Sequence, residues 1–123
     1  MQIVLIRWCV RADREQEFLD YWRDELPVRD KSGLIAESLS RVGGLDERFN
    51  WDTTTDDTPE GAVIYINVGL WRDDRAYRDA IPAPWDALRP FEAGPRLRAR
   101  LEPRESRLGA LALADQLLPT LID

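Results

Sequence analysis

The chain has 123 residues, a length that suits one domain able to bury roughly two-thirds of the surface its unfolded form exposes, so a core forms without staples. Its formal charge is −6, with arginine interleaved among Asp and Glu, which argues against nucleic acid, because neutralising a phosphate backbone needs clustered base with little opposing acid. The absence of histidine removes the Ser-His-Asp triad, His-ligated haem and the usual zinc sites, and the single cysteine, Cys9, leaves no intramolecular disulfide. No apolar run approaches the roughly 20 residues of a bilayer-spanning helix and the first residues carry no cleavage-site pattern, so the expectation is no membrane and a cytoplasmic location.

Gln2 to Val10 is rich in Ile and Val and short enough for a strand, in which Cys9 reads as a small hydrophobe. Asp13 then opens a helix, with Gln16 in the capping-box position and Phe18, Leu19, Tyr21, Trp22 and Leu26 recurring at helical spacing up to a stop between Pro27 and Lys31. Gly33 to Val42 reads as a second strand stopped by Gly43-Gly44, and the acidic, Thr-rich stretch from Asp46 to Gly61 as a long loop. Gly61 to Trp71, mainly β-branched and aromatic and free of proline, is the strongest strand in the sequence. Asp73 or Asp74 caps a short second helix carrying Ala76, Tyr77, Ala80 and Ile81, which Pro82 and Pro84 end.

From Arg96 to Glu102, arginines alternate with Leu97, Ala99 and Leu101 at the period of a fourth strand. The order β-α-β-β-α-β predicts a ferredoxin-like α+β domain over residues 1–103, an antiparallel four-stranded sheet with two helices on one face. Residues 104–123, rich in leucine, form an apolar extension that docks on its own domain or on a partner subunit.

Strand side chains alternate between faces, so the third strand divides into Val63, Tyr65, Asn67, Gly69 and Trp71 on one side and Ile64, Ile66, Val68 and Leu70 on the other. In the first strand Arg7 shares a face with Ile3, Leu5 and Cys9, and Val4, Ile6, Trp8 and Val10 lie opposite. Both sheet faces avoid water and two helices cover only one; the simplest second cover is another sheet, hence a homodimer. Asn67 and Trp71 stand about 13 Å apart along the strand. With no side chain at Gly69 between them, they frame a gap in which an amide grips the carbonyl or phenol of a flat ligand, or else Gly69 marks a bulge and Asn67 bonds a loop.

The runs Ile3-Val4-Leu5-Ile6-Arg7-Trp8 and Glu17-Phe18-Leu19-Asp20-Tyr21-Trp22, and above all Asn67-Val68-Gly69-Leu70-Trp71 leading into Ala76-Tyr77, carry a likeness. Over residues 2 to 101 the chain resembles the antibiotic biosynthesis monooxygenase family of dimeric α/β barrels. The spacing of Asn67, Trp71 and Tyr77 is similar to that of members that oxidise phenolic polyketides with O2 and no cofactor. The resemblance therefore implies a homodimeric, cofactor-independent monooxygenase acting on a small aromatic or polyketide-like substrate in secondary metabolism. It implies that Asn67 and Trp71 hold the substrate's carbonyl, that Tyr77 reaches the pocket, and that an arginine of the last strand, Arg98 or Arg96, assists. Haem-degrading relatives use a histidine of the second helix, which this chain lacks.

In such chemistry the substrate is the reductant: it loses a proton, and the electron-rich anion passes an electron to oxygen. Asn67 and an arginine then act like oxyanion-hole donors while Trp71 and Tyr77 exclude water. Arg7 is a second candidate cation, or the partner of a buried acid such as Glu37, and Tyr77 alternatively packs its helix on the sheet. Tyr21, Trp22, Tyr65, Gly69 and Arg96 complete the candidates for substrate contact, with core packing the competing role for the two on the first helix. The loop bearing Phe49 and Trp51 is a candidate cover. The rival functions are a non-redox cyclase, isomerase or decarboxylase on the same scaffold, and a non-catalytic ligand-binding protein.

Overall fold

A computed structural model describes residues 1–25, 31–81 and 87–109. Four strands, β1 (Gln2–Val10), β2 (Leu34–Arg41), β3 (Val63–Trp71) and β4 (Glu92–Leu101), form one sheet in the order β2-β3-β1-β4. Every neighbouring pair is antiparallel. Two helices, α1 (Glu15–Asp20) and α2 (Asp74–Ala80), join β1 to β2 and β3 to β4, giving an α+β arrangement compatible with a ferredoxin-like fold. The helix stop expected after Leu26 and the docking of residues 110–123 fall outside the described residues, and 104–109 are exposed.

Alternation in β1 and β3 dictates which face is covered. Val4, Ile6, Trp8 and Val10 are buried under the helices, and their β3 partners on that face are Gly69, Asn67, Tyr65 and Val63. Phe18 of α1 fills the centre with no exposed surface, its ring 5.1 Å from Trp8, 5.0 Å from Tyr65 and 5.5 Å from Phe91. Burying such a side chain contributes about 1.5–3 kcal/mol, so this aromatic cluster anchors α1 to the sheet. Gly33, just before β2, lets α2 approach closely: a Cβ there would overlap the Cβ of Ala76, and its carbonyl accepts from the Arg72 amide at 2.8 Å.

Two local expectations need correction, and one choice left open is decided. Asp13 does not cap the first helix: the chain leaves β1 through extended Arg11 into a 3-10 turn, Ala12–Arg14, with no side-chain cap, and Gln16 donates forward to Asp20. Asp73 is the residue that caps, its carboxylate accepting from the Ala76 amide at 2.8 Å at the start of α2. β4 begins at Glu92, four residues before the alternation becomes visible, because register shifts around Cys9 accommodate Pro95, which has no N–H to give a ladder.

Candidate functional site

The helix-facing side of the sheet has an aromatic end, described above, and a polar end. At the polar end Asn67 is 2 % exposed, and its Oδ1 accepts from the Trp22 indole N–H at 3.1 Å. Trp22 sits in a π-helical turn, Tyr21–Glu25, that continues α1. An indole N–H only donates, so the amide oxygen must face Trp22 and the amide nitrogen is left for the opposite side. There stands Glu37 of the edge strand β2, whose Cα is paired with that of Gly69. Burial pushes the Glu37 carboxyl above its ordinary value, while hydrogen bonding with Asn67 and the charge of Lys31 hold it back.

From the other side comes α2. The Tyr77 ring meets Trp71 edge to face, 5.5 Å between centroids at 86°. Burial raises the Tyr77 phenol, and the Arg98 guanidinium, by charge and hydrogen bonding, opposes that rise; the carboxylate of Glu37 adds to it. Arg98 reaches this face from β4, the other edge strand, where it is exposed and its Cα pairs with that of Ile6 of β1. Asn67, Trp71, Tyr77, Arg98 and Trp22 are thus brought together from β3, β4 and both helical segments. The gap expected at Gly69 is occupied by the indole of Trp71, whose Nε1 lies 2.8 Å from where a Cβ of residue 69 would stand. Glycine is required there for the ring to fold back over the strand.

Other expected contacts lie elsewhere. Arg7 faces away from Asn67: its Cα pairs with Ile66, and its guanidinium donates to the Thr53 carbonyl at 2.7 Å and the Thr58 hydroxyl at 2.8 Å. It therefore does not pair with Glu37, which is on the opposite face, and it tethers the loop between β2 and β3. That loop lies over the far face, where Leu5, Arg7, Trp51, Thr53, Ile66 and Leu97 line an open cleft of about 300 Å³. Cys9, also facing that side, has its thiol raised by burial and remains a packing group. Arg96 is bound to Glu92 at 2.8 Å, donates to the Ala87 carbonyl and covers the Trp8 ring at 5.0 Å. Tyr21 and Tyr65 belong to the aromatic end, Tyr65 donating to Glu15 at 2.8 Å.

Glu37 is the residue that sequence reasoning placed wrongly. Its signal was an acid in phase with Leu39, a residue that packs against the core. Among the described residues no group of three or more His, Cys, Asp or Glu side chains is placed to hold a metal ion, and no helix is long and apolar enough to cross a membrane. No protein-family model matches the chain, and no curated protein matches it.

Proposed function

We propose that the chain is a cofactor-independent monooxygenase that oxidises a phenolic or polyketide-like substrate with O2. The observation that supports this reading is the convergence of Asn67, Trp71, Tyr77 and Arg98, the set implied by the family resemblance, at one end of the helix-covered sheet. A substrate methylene beside a phenol-bearing ring loses two hydrogens and gains one oxygen atom. The second oxygen atom leaves with those hydrogens as water, so the substrate supplies all the electrons and no outside reductant is needed. Arg98 and the remaining N–H of Asn67 stabilise the substrate anion, while Trp71 and Tyr77 keep water from it.

The protein works as a homodimer in this reading. The far face carries Leu5, Ile66, Val68 and Leu70 half-buried and Leu97 45 % exposed, a surface that a second sheet covers. Sedimentation of the wild type against Val68→Asp tests the dimer.

The test of function is oxygen uptake with isotopic dioxygen on a panel of anthrone-like and naphthol-like phenols. One labelled atom in the product, lost in Asn67→Ala and Trp71→Ala, supports the reading; rearranged product with no oxygen consumed rejects it. Glu37 beside Asn67 favours a second reading, a proton-transferring isomerase or cyclase at the same place.

A further inference from the structure

We infer that Glu37 is the base of this site: its carboxylate takes a proton from an acidic O–H or C–H of a substrate lying against Asn67 and Trp71. The products of the step are a neutral Glu37 carboxylic acid and the substrate's phenolate or enolate, with charge conserved. In the oxygenation that proton later leaves with the oxygen atom released as water, which returns Glu37 to its carboxylate. The inference rests on the site proposed above, but not on oxygen being the co-substrate.

Three observations carry it. First, position: Glu37 is paired with Gly69, which puts it on the face of the sheet that carries Asn67 and Trp71. Second, orientation: Trp22 donates its indole N–H to the Asn67 oxygen, so the amide nitrogen is the group left for Glu37. Asn67 is thus a positioning residue for the base as well as a contact for the substrate. Third, among the described residues the acids of the neighbouring elements are committed. Glu15 is held by Arg41 and Tyr65, Asp20 by Arg23, Asp73 by the start of α2 and Asp74 by Arg78. The Tyr77 phenol is raised, so at neutral pH it donates.

Among the described residues, the charged and titratable groups that interact with Glu37 are Lys31, ahead of β2, and Tyr77, on α2, which Arg98 of β4 contacts in turn. β3 and the π-helical turn contribute the neutral Asn67 and Trp22. Burial favours the protonated acid and brings its affinity for a proton nearer to that of an acidic phenol, which is the match a general base needs.

The experiment is anaerobic deuterium exchange into the acidic C–H of an anthrone in D2O, with the full chain, read by mass spectrometry across pH. Wild type should exchange the hydrogen along a limb that rises with pH. Glu37→Gln should slow exchange by about 100-fold to 10,000-fold and lose that limb. Glu37→Asp, which keeps the charge, should retain the limb at reduced rate, and it carries the test if Glu37→Gln does not fold. Wild-type exchange without oxygen uptake in air would keep the base and discard the oxygenase. Exchange by Glu37→Gln at the wild-type rate and pH profile, or no exchange by wild type on any compound, would overturn the assignment.

Discussion

The two ends of the helix-covered face use the same kinds of residue for different ends. In the aromatic end Arg96 and Glu92, their side chains 2 % and 0 % exposed, neutralise each other against the Trp8 ring, and Trp8 in turn packs on Phe18. In the polar end an acid and an arginine are also present: Glu37 hydrogen-bonds the neutral amide of Asn67 and feels the charge of Lys31, and Arg98 hydrogen-bonds Tyr77. A closed ion pair holds structure together, whereas an acid bonded to a neutral amide keeps acceptor capacity for a third molecule. The difference lies in pairing, not in composition.

The sharpest way to break this contrast is at Arg96. Arg96→Met leaves the Glu92 carboxylate fully buried with no cation, and urea unfolding should show a loss of about 3–5 kcal/mol. Adding Glu92→Leu should recover most of that loss, since an apolar pair of similar volume substitutes for a buried ion pair at little cost. A loss well under 1 kcal/mol for the single variant would mean that the two ends are not distinguished in this way.

A smaller effect, at the polar end, is read against pH. The folded protein raises the Glu37 carboxyl above its ordinary 4.5, so it favours the neutral acid. Its contribution is complete below about pH 4.5 and is lost as pH rises through the folded value. Glu15, Asp24, Asp46, Asp52, Asp73 and Asp74 are lowered by hydrogen bonds and work in the reverse direction, losing stability as pH falls. The difference between Glu37→Gln and wild type isolates one group: urea midpoints from about pH 4 to 8 should show the variant gaining on wild type as pH rises. A flat difference would contradict the desolvated acid.

The smallest effect expected is at Tyr21. Its buried hydroxyl has no hydrogen-bond partner among the described residues, so Tyr21→Phe should be neutral or stabilising by up to about 1 kcal/mol in thermal unfolding. A clear loss would reveal a polar role for that hydroxyl in the aromatic end.

Alternation alone made the strands and their two faces legible, from Val4, Ile6, Trp8 and Val10 in β1 to the arginines of β4. What it leaves open is which face of one strand coincides with which face of the next, because that depends on pairing register. Hence Arg7, an alternating neighbour of apolar residues, was a candidate for the Asn67 site and lies on the other side of the sheet. Glu37 was obscured for a related reason. The shift between Leu34 and Ala36 in the β2–β3 pairing decides that it stands opposite Gly69, and no residue in the sequence announces that shift. Arg98 and Arg96 were indistinguishable until Glu92, outside the alternating stretch, proved to be part of β4 and to hold Arg96.

The π-helical turn at Tyr21–Glu25 sets where the Trp22 indole points. Such a turn is equivalent to one extra residue inserted into an α-helix, and insertions of this kind recur at functional sites. Removing a single residue ahead of Trp22 would restore an ordinary turn and swing the following side chains by about 100°, taking the indole off Asn67. A chain one residue shorter here would keep the sheet and the aromatic cluster yet present a different side chain to the amide.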